Sequence, residues 1–287
     1  MNLQKSFQAA VRAALVIVCL TSGGWFLNQS VCAQEIEPIP ASRTTRNKQI
    51  YRSGLRNSFT EYPLNATELE LVLAQLRHKT GFVSLRFDEA GFLIIDDRSQ
   101  IIGGSPTARE LLVAAIDGPQ SILLQSHNRS TKVAFGRASH GAIYTSWQSN
   151  RNIEASLVEI DFMDFKKLRG HRKAIEAFDP GFVLLHELCH IVLSLHDPSE
   201  KVGKAGDCET YVNRIRRELG IPERQQYAAT TSTKHLSLST PTATVAQLIF
   251  AQTQPGDEPG ERSKTKRFFT WWNSQEVGGK PALTPQR

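Results

Sequence analysis

Apolar residues recur along this chain in two rhythms. In "NATELELVLAQLRHKTG", Leu69, Val72, Leu73 and Leu76 fall at helical spacing and Gly81 supplies a stop. "GGSPTARELLVAAIDG" predicts a second helix, with Ser105 as N-cap, Pro106 in the first turn and Gly118 past the end. "FVSLRF" and "FLIID" flank "DEAG" as a hairpin would. "SILLQ", "KVAFG", "AIYTSW" and the long run from Ile153 to Phe162 read as strands. Asp179-Pro180 then opens an apolar helix over 180–196. "DCETYVNRIRRELG" predicts another, ending at Gly220 with Pro222 beyond. "VAQLIF" and "RFFTWW" are two late strands. This order predicts an α+β fold, a mixed sheet packed against helices. No internal repeat is present.

Both ends depart from that pattern. "MNLQKSFQAAVR", "AALVIVCL" and "VCA" form the charged, apolar and small-residue regions of a secretory signal over 1–33, with Lys5 and Arg12 in the first. The apolar run is too short for a membrane span and is broken by "TSGG". The expectation is an exported chain, periplasmic or secreted, with no stable membrane span once the signal is cleaved. Residues 34–62 read as a polar linker and 63–227 as the functional domain. Residues 228–287 read as a Ser/Thr-rich segment and C-terminal extension.

With 40% hydrophobic and 22% charged residues the chain can build a core. The net charge of +6 includes Lys5 and Arg12, and no basic cluster interleaved with aromatics marks a nucleic-acid surface. Cys19 and Cys32 fall within the signal, leaving Cys189 and Cys208. Those two are read equally well as a disulfide or as small buried hydrophobes.

The chemistry concentrates in "PGFVLLHELCHIVLSLHD", Pro180 to Asp197. His186 and His190 are four apart, so on a helix they point within roughly 40° of each other, one turn apart. The helix around them is apolar nearly all round and should be buried. Two imidazoles and a carboxylate there are costly unless something satisfies them, and a divalent metal does so. Glu187, beside a ligand, is placed to take a proton from water at the metal.

Two residues compete for third ligand. His196 has the spacing of an HExxHxxGxxH pattern, but Leu193 stands where that pattern has glycine, and no methionine follows. Glu209, at the edge of the next helix's apolar stripe, is preferred; Asn213, one turn on, could support a histidine's free nitrogen.

HELCH followed by a helical glutamate resembles the gluzincin metallopeptidases, in an ExxxN variant ("ETYVN") of their ExxxD-like pattern. "VNRIRRELGIPERQQY" is similar to small bacterial metallopeptidases of the effector and toxin type, and Arg224 with Tyr227 resembles the R-x-x-Y pair of clostridial neurotoxin light chains. The resemblance implies a zincin-like fold, with Zn2+ on His186, His190 and Glu209 and with Glu187 as general base. It also implies Tyr227 or Arg224 at the oxyanion and a protein or peptide substrate, cut as an endopeptidase would. An inhibitor or immunity partner is not legible in the chain. The strand at 153–162 is expected to offer its edge to an extended substrate. The competing expectation is a non-catalytic metal-binding domain that serves structure or a partner, with Cys189 or Cys208 completing its shell. In a third, the aromatic "FFTWW" is an interaction surface, although a core strand is its commoner role.

Overall fold

The computed structural model describes residues 53–59, 61–146, 151–198, 205–234, 243–254 and 263–278. The expected signal at 1–33 and the linker up to residue 52 lie outside these. The fold is α+β, as expected.

The first sheet contains β1 (Gly54–Asn57), β4 (Ser121–Ser126), β6 (Arg151–Ile160) and β5 (Gly136–Ser146), in that order across the sheet. β1 and β6 flank β4 in parallel, and β5 runs antiparallel to β6. β1 corrects the linker expectation: Leu55 is fully buried in the core, so the domain begins before residue 63. "KVAFG" and "AIYTSW" are not separate strands, because one strand starts at Gly136 and absorbs the second run as far as Ser146, with a bulge between Ser139 and Ala142; Trp147 lies outside the described residues. The run from Ile153 stops at Ile160, where Asp161 caps a short helix, α3 (Phe162–Phe165). β6 is interior to the sheet, so it cannot offer an edge to a substrate; among the described residues the outer strands of this sheet are β1 and β5.

Helices α1 (Ala66–Thr80) and α2 (Pro106–Asp117) start and stop where the caps predict. Asn65 and Glu68 form a reciprocal capping box on α1, and Gly81 ends it in the left-handed region. β2 (Leu85–Phe87) and β3 (Leu93–Ile95) make the predicted hairpin.

After a short helix, α4 (Arg172–Glu176), α5 (Pro180–Leu193) carries HELCH through the interior. Its first turn is satisfied on three sides. Asp179 accepts from the Phe182 amide at 2.9 Å, Gln75 accepts from Gly181 at 2.6 Å, and Lys79, buried under Phe182, reaches Asp179 at 2.7 Å. Leu184, Leu185 and Leu188 face the core shared with α1, α2 and the first sheet, each contributing roughly 1.5–3 kcal/mol by burial. Val183 faces a second core.

That second core belongs to a five-stranded antiparallel sheet: β7 (Arg169–Gly170), β11 (Lys264–Asn273), β10 (Ala243–Gln254) and β8 (Glu223–Arg224), with β9 (Thr230–Lys234) also on β10. "VAQLIF" and "RFFTWW" are therefore paired strands. Phe268, Thr270 and Trp272 alternate inward and are buried, which makes "FFTWW" chiefly a core strand. The residues after 227 are not an appendage: their strands close on β7 and β8, which come from within 63–227.

Candidate metal centre

His186 and His190 lie one turn apart on α5, their rings 5.1 Å apart and nearly perpendicular. Both direct Nε2 at Asp197: His186 to Oδ1 at 3.2 Å and His190 to Oδ2 at 3.4 Å. With Cys208 they form a group whose ligand atoms all lie within 4.8 Å of one another and could hold a metal ion. The two nitrogen–oxygen distances are long for charged hydrogen bonds. They match the edge of a tetrahedron whose centre is about 2.1 Å from each ligand, which is about 3.4 Å.

Asp197 arrives because α5 stops early. The sequence predicts a helix to 196, but Ser194 takes φ 53°, ψ 31°, in the left-handed region, and ends it at Leu193. This serine does what the absent glycine would have done, turning the chain back over the histidines. The return is held by Asp207 N–H on the His196 carbonyl at 3.2 Å. It is also held by Gly206 against Pro198, where a Cβ would come within 2.4 Å of the proline ring. His196 itself is exposed, and its neighbour meets the histidines instead. Pro198, just past the turn, was the available signal for the early stop.

Glu209 was expected as third ligand and is placed behind His186. Its Oε2 lies 3.4 Å from Nδ1, the ring nitrogen opposite the one facing Asp197, and no closer partner serves that nitrogen. A carboxylate there cannot share a metal with Nε2 of the same ring; it orients the ring. Glu209 is in turn gripped by Arg216 Nη1 and, at 3.0 Å, by Arg224 Nη1. Sequence reasoning missed Arg216, although seven residues from Glu209 puts it on the same helix face of α6 (Gly206–Glu218). Asn213 does not touch a histidine: it accepts from Arg216 at 2.8 Å and bonds the Arg224 backbone.

The far side of His190 is neutral. Nδ1 donates to the Leu195 carbonyl at 2.8 Å, which fixes the tautomer that leaves Nε2 free for a metal. Cys208 Sγ is 3.2 Å from the same Nδ1. Cys189 and Cys208 are both free and buried, and Cys189 packs in the core.

Arg224 is committed internally, to Glu209, to the Gln226 carbonyl at 3.1 Å and to the Tyr227 carbonyl. In these bonds its guanidinium positions Glu209. Tyr227 stacks on His186 at 6.0 Å, and its hydroxyl bonds Asp197. Glu187 lies against the edge strand, accepting from the Ala138 amide. Gly136 admits this approach, since a Cβ there would sit 2.3 Å from Val183 and 3.5 Å from Glu187 Oε1.

The electrostatics follow from packing carboxylates on imidazoles. Burial alone would depress the His186 pKa, but bonds to Asp197 and Glu209 and the charge of Glu187 outweigh it and raise it to about 10. Burial would raise Asp197 and Glu209; the histidines hold the first, and Arg216 and Arg224 the second, well below the carboxylate range. For Glu187 burial wins, and its carboxyl is pushed up against the pull of His186 and His190. Tyr227 is raised by burial and by Asp197.

No helix among the described residues is long and apolar enough to cross a membrane. No protein-family model, curated protein or solved structure matches this chain.

Proposed function

We propose that this protein is a zinc-dependent peptidase of HExxH type, exported by its N-terminal signal, with His186, His190 and Asp197 as the protein ligands. The observation that carries the reading is the pair of Nε2–carboxylate distances, 3.2 and 3.4 Å, on one tetrahedral edge length. Three ligands of this kind leave one position open, which catalytic zinc sites keep and structural sites do not. A bound zinc ion supplies Lewis acidity to the reacting water and the carbonyl.

The chain's own groups do the rest. Glu187 takes the proton of the attacking water and returns it to the departing amine, a task suited to a carboxyl that burial makes more basic. Tyr227, stacked on His186 with its hydroxyl at Asp197, is a neutral donor for the developing oxyanion. β5 lines the cleft with Gly136, Arg137, Ala138 and His140, and its outer edge pairs with an extended peptide backbone. That arrangement suits an endopeptidase within a zincin-like fold. Glu187→Gln is expected to keep the metal and lose hydrolysis by about 10²–10⁴-fold; equal activity in the variant and wild type would overturn the reading.

One observation favours a second reading. Cys208 lies in the same ligand group, and a fourth ligand would close the site for a structural role. Its sulfur touches Nδ1 of His190, the nitrogen turned from Asp197, which places it as a backing group.

A further inference from the structure

Resting on the peptidase reading, we infer that the cleft selects substrates by a large apolar side chain next to the scissile bond, held in a pocket walled by the C-terminal sheet. The cleft has two unlike halves that meet at Gly136, Arg137, Glu187 and Tyr227. One half runs past His140, His190, His196 and Asp197, with polar and apolar groups mixed along it. The other is a cavity of about 310 Å³ reaching from His186 and Glu187 to Phe135, Phe178, Val183, Ala228, Leu248 and Trp272. That volume is at the bottom of the range for small-molecule sites, which fits one bulky side chain and not a cofactor.

The wall is built to keep its shape. Phe135 meets Phe178 and Trp272 edge-on, each at 4.9 Å, and the rings lock one another. Phe135 is held at φ 64°, a left-handed conformation that its backbone bonds to Asp161 and Asp164 maintain. Strain of this kind beside a reaction centre marks a residue whose direction matters. The charged groups on the pocket's lining do not call for a charged ligand. Glu209, Arg216 and Arg224 are paired with each other, Arg137 is paired with buried Glu159 at 2.6 Å, and Lys132, also on the lining, is exposed to solvent. Leu248 and Trp272 come from β10 and β11, so the C-terminal sheet sets what is cut while α5 does the cutting.

The test is a degenerate peptide library incubated with the full zinc-loaded chain, its cut sites read by mass spectrometry. Phe, Leu, Met or Trp should be enriched on the order of 10-fold or more over Ala and Asp at one of the two residues flanking the cut. Ala228→Phe, which fills the cavity, should shift that preference to small residues while zinc content stays at the wild-type level. Cleavage without an apolar preference, or a preference that Ala228→Phe leaves unchanged, overturns the pocket and spares the peptidase reading. No cleavage of any peptide overturns the peptidase reading and the subsite with it. Should Ala228→Phe fail to fold, Leu248→Phe narrows the same cavity from β10, and an unchanged preference there counts equally against the inference.

Discussion

His186 and His190 stand one turn apart on one helix and meet the same carboxylate, yet they are backed in opposite ways. His186 leans on a buried charged network, Glu209 with Arg216 and Arg224. His190 leans on a backbone carbonyl and a thiol. A neutral backing fixes a tautomer at little cost, because a carbonyl is always present. A charged backing makes the ring more basic but ties it to side chains that are tolerable only as a set. The two histidines should therefore fail differently when disturbed.

The largest effect is expected at the charged side. Glu209→Ala leaves the buried Arg216 and half-buried Arg224 guanidiniums without their shared carboxylate and should cost about 3–5 kcal/mol in stability, measured by denaturant unfolding of the metal-free chain. A loss below 1 kcal/mol would mean the network is not what holds His186. Glu209→Gln keeps the shape and removes the charge. It should weaken zinc binding by about 10–100-fold in a competition titration, where a ligand role would abolish binding.

Protons sharpen the contrast next. His186 has a folded pKa raised from 6.5 to about 10, so its contribution to the metal-free protein is full below 6.5 and is lost as pH rises through about 10. Between those limits the slope is at most about 1.4 kcal/mol per pH unit for one group. Calorimetry should show the metal-free protein losing stability from neutral to alkaline pH, while the metal-loaded protein, whose imidazoles carry no such proton, does not share that loss. The smallest effect belongs to the neutral side. Cys208→Ala should cost about 1 kcal/mol in stability and change zinc affinity by less than tenfold, since the Leu195 carbonyl still holds His190. Loss of the metal in that variant would favour the closed, four-ligand site.

The sequence disclosed some parts of this arrangement and hid others for physical reasons. Caps and stops were local, so α1, α2 and the start of α5 could be read from Gly81, Ser105, Pro106 and Pro180. HELCH was readable because period and chemistry coincide on one helix face. Asp197, the proposed third ligand, was not, because its position depends on one serine adopting a conformation that favours glycine. The choice between Glu209 and Asp197 turned on which nitrogen of His186 each would face, a matter of packing that spacing does not encode. The unity of the C-terminal strands with the rest was equally hidden: β7 and β8 are two residues each, too short to carry a pattern.

The most direct test of the account is zinc affinity measured side by side for the wild type, Asp197→Ala, Glu209→Gln and His196→Ala. The account predicts that His196→Ala binds like the wild type, Glu209→Gln binds more weakly, and Asp197→Ala loses affinity by more than the roughly 100-fold upper limit of an outer-shell change. Wild-type zinc affinity in Asp197→Ala, with binding abolished in Glu209→Gln, would contradict it and return the third ligand to Glu209.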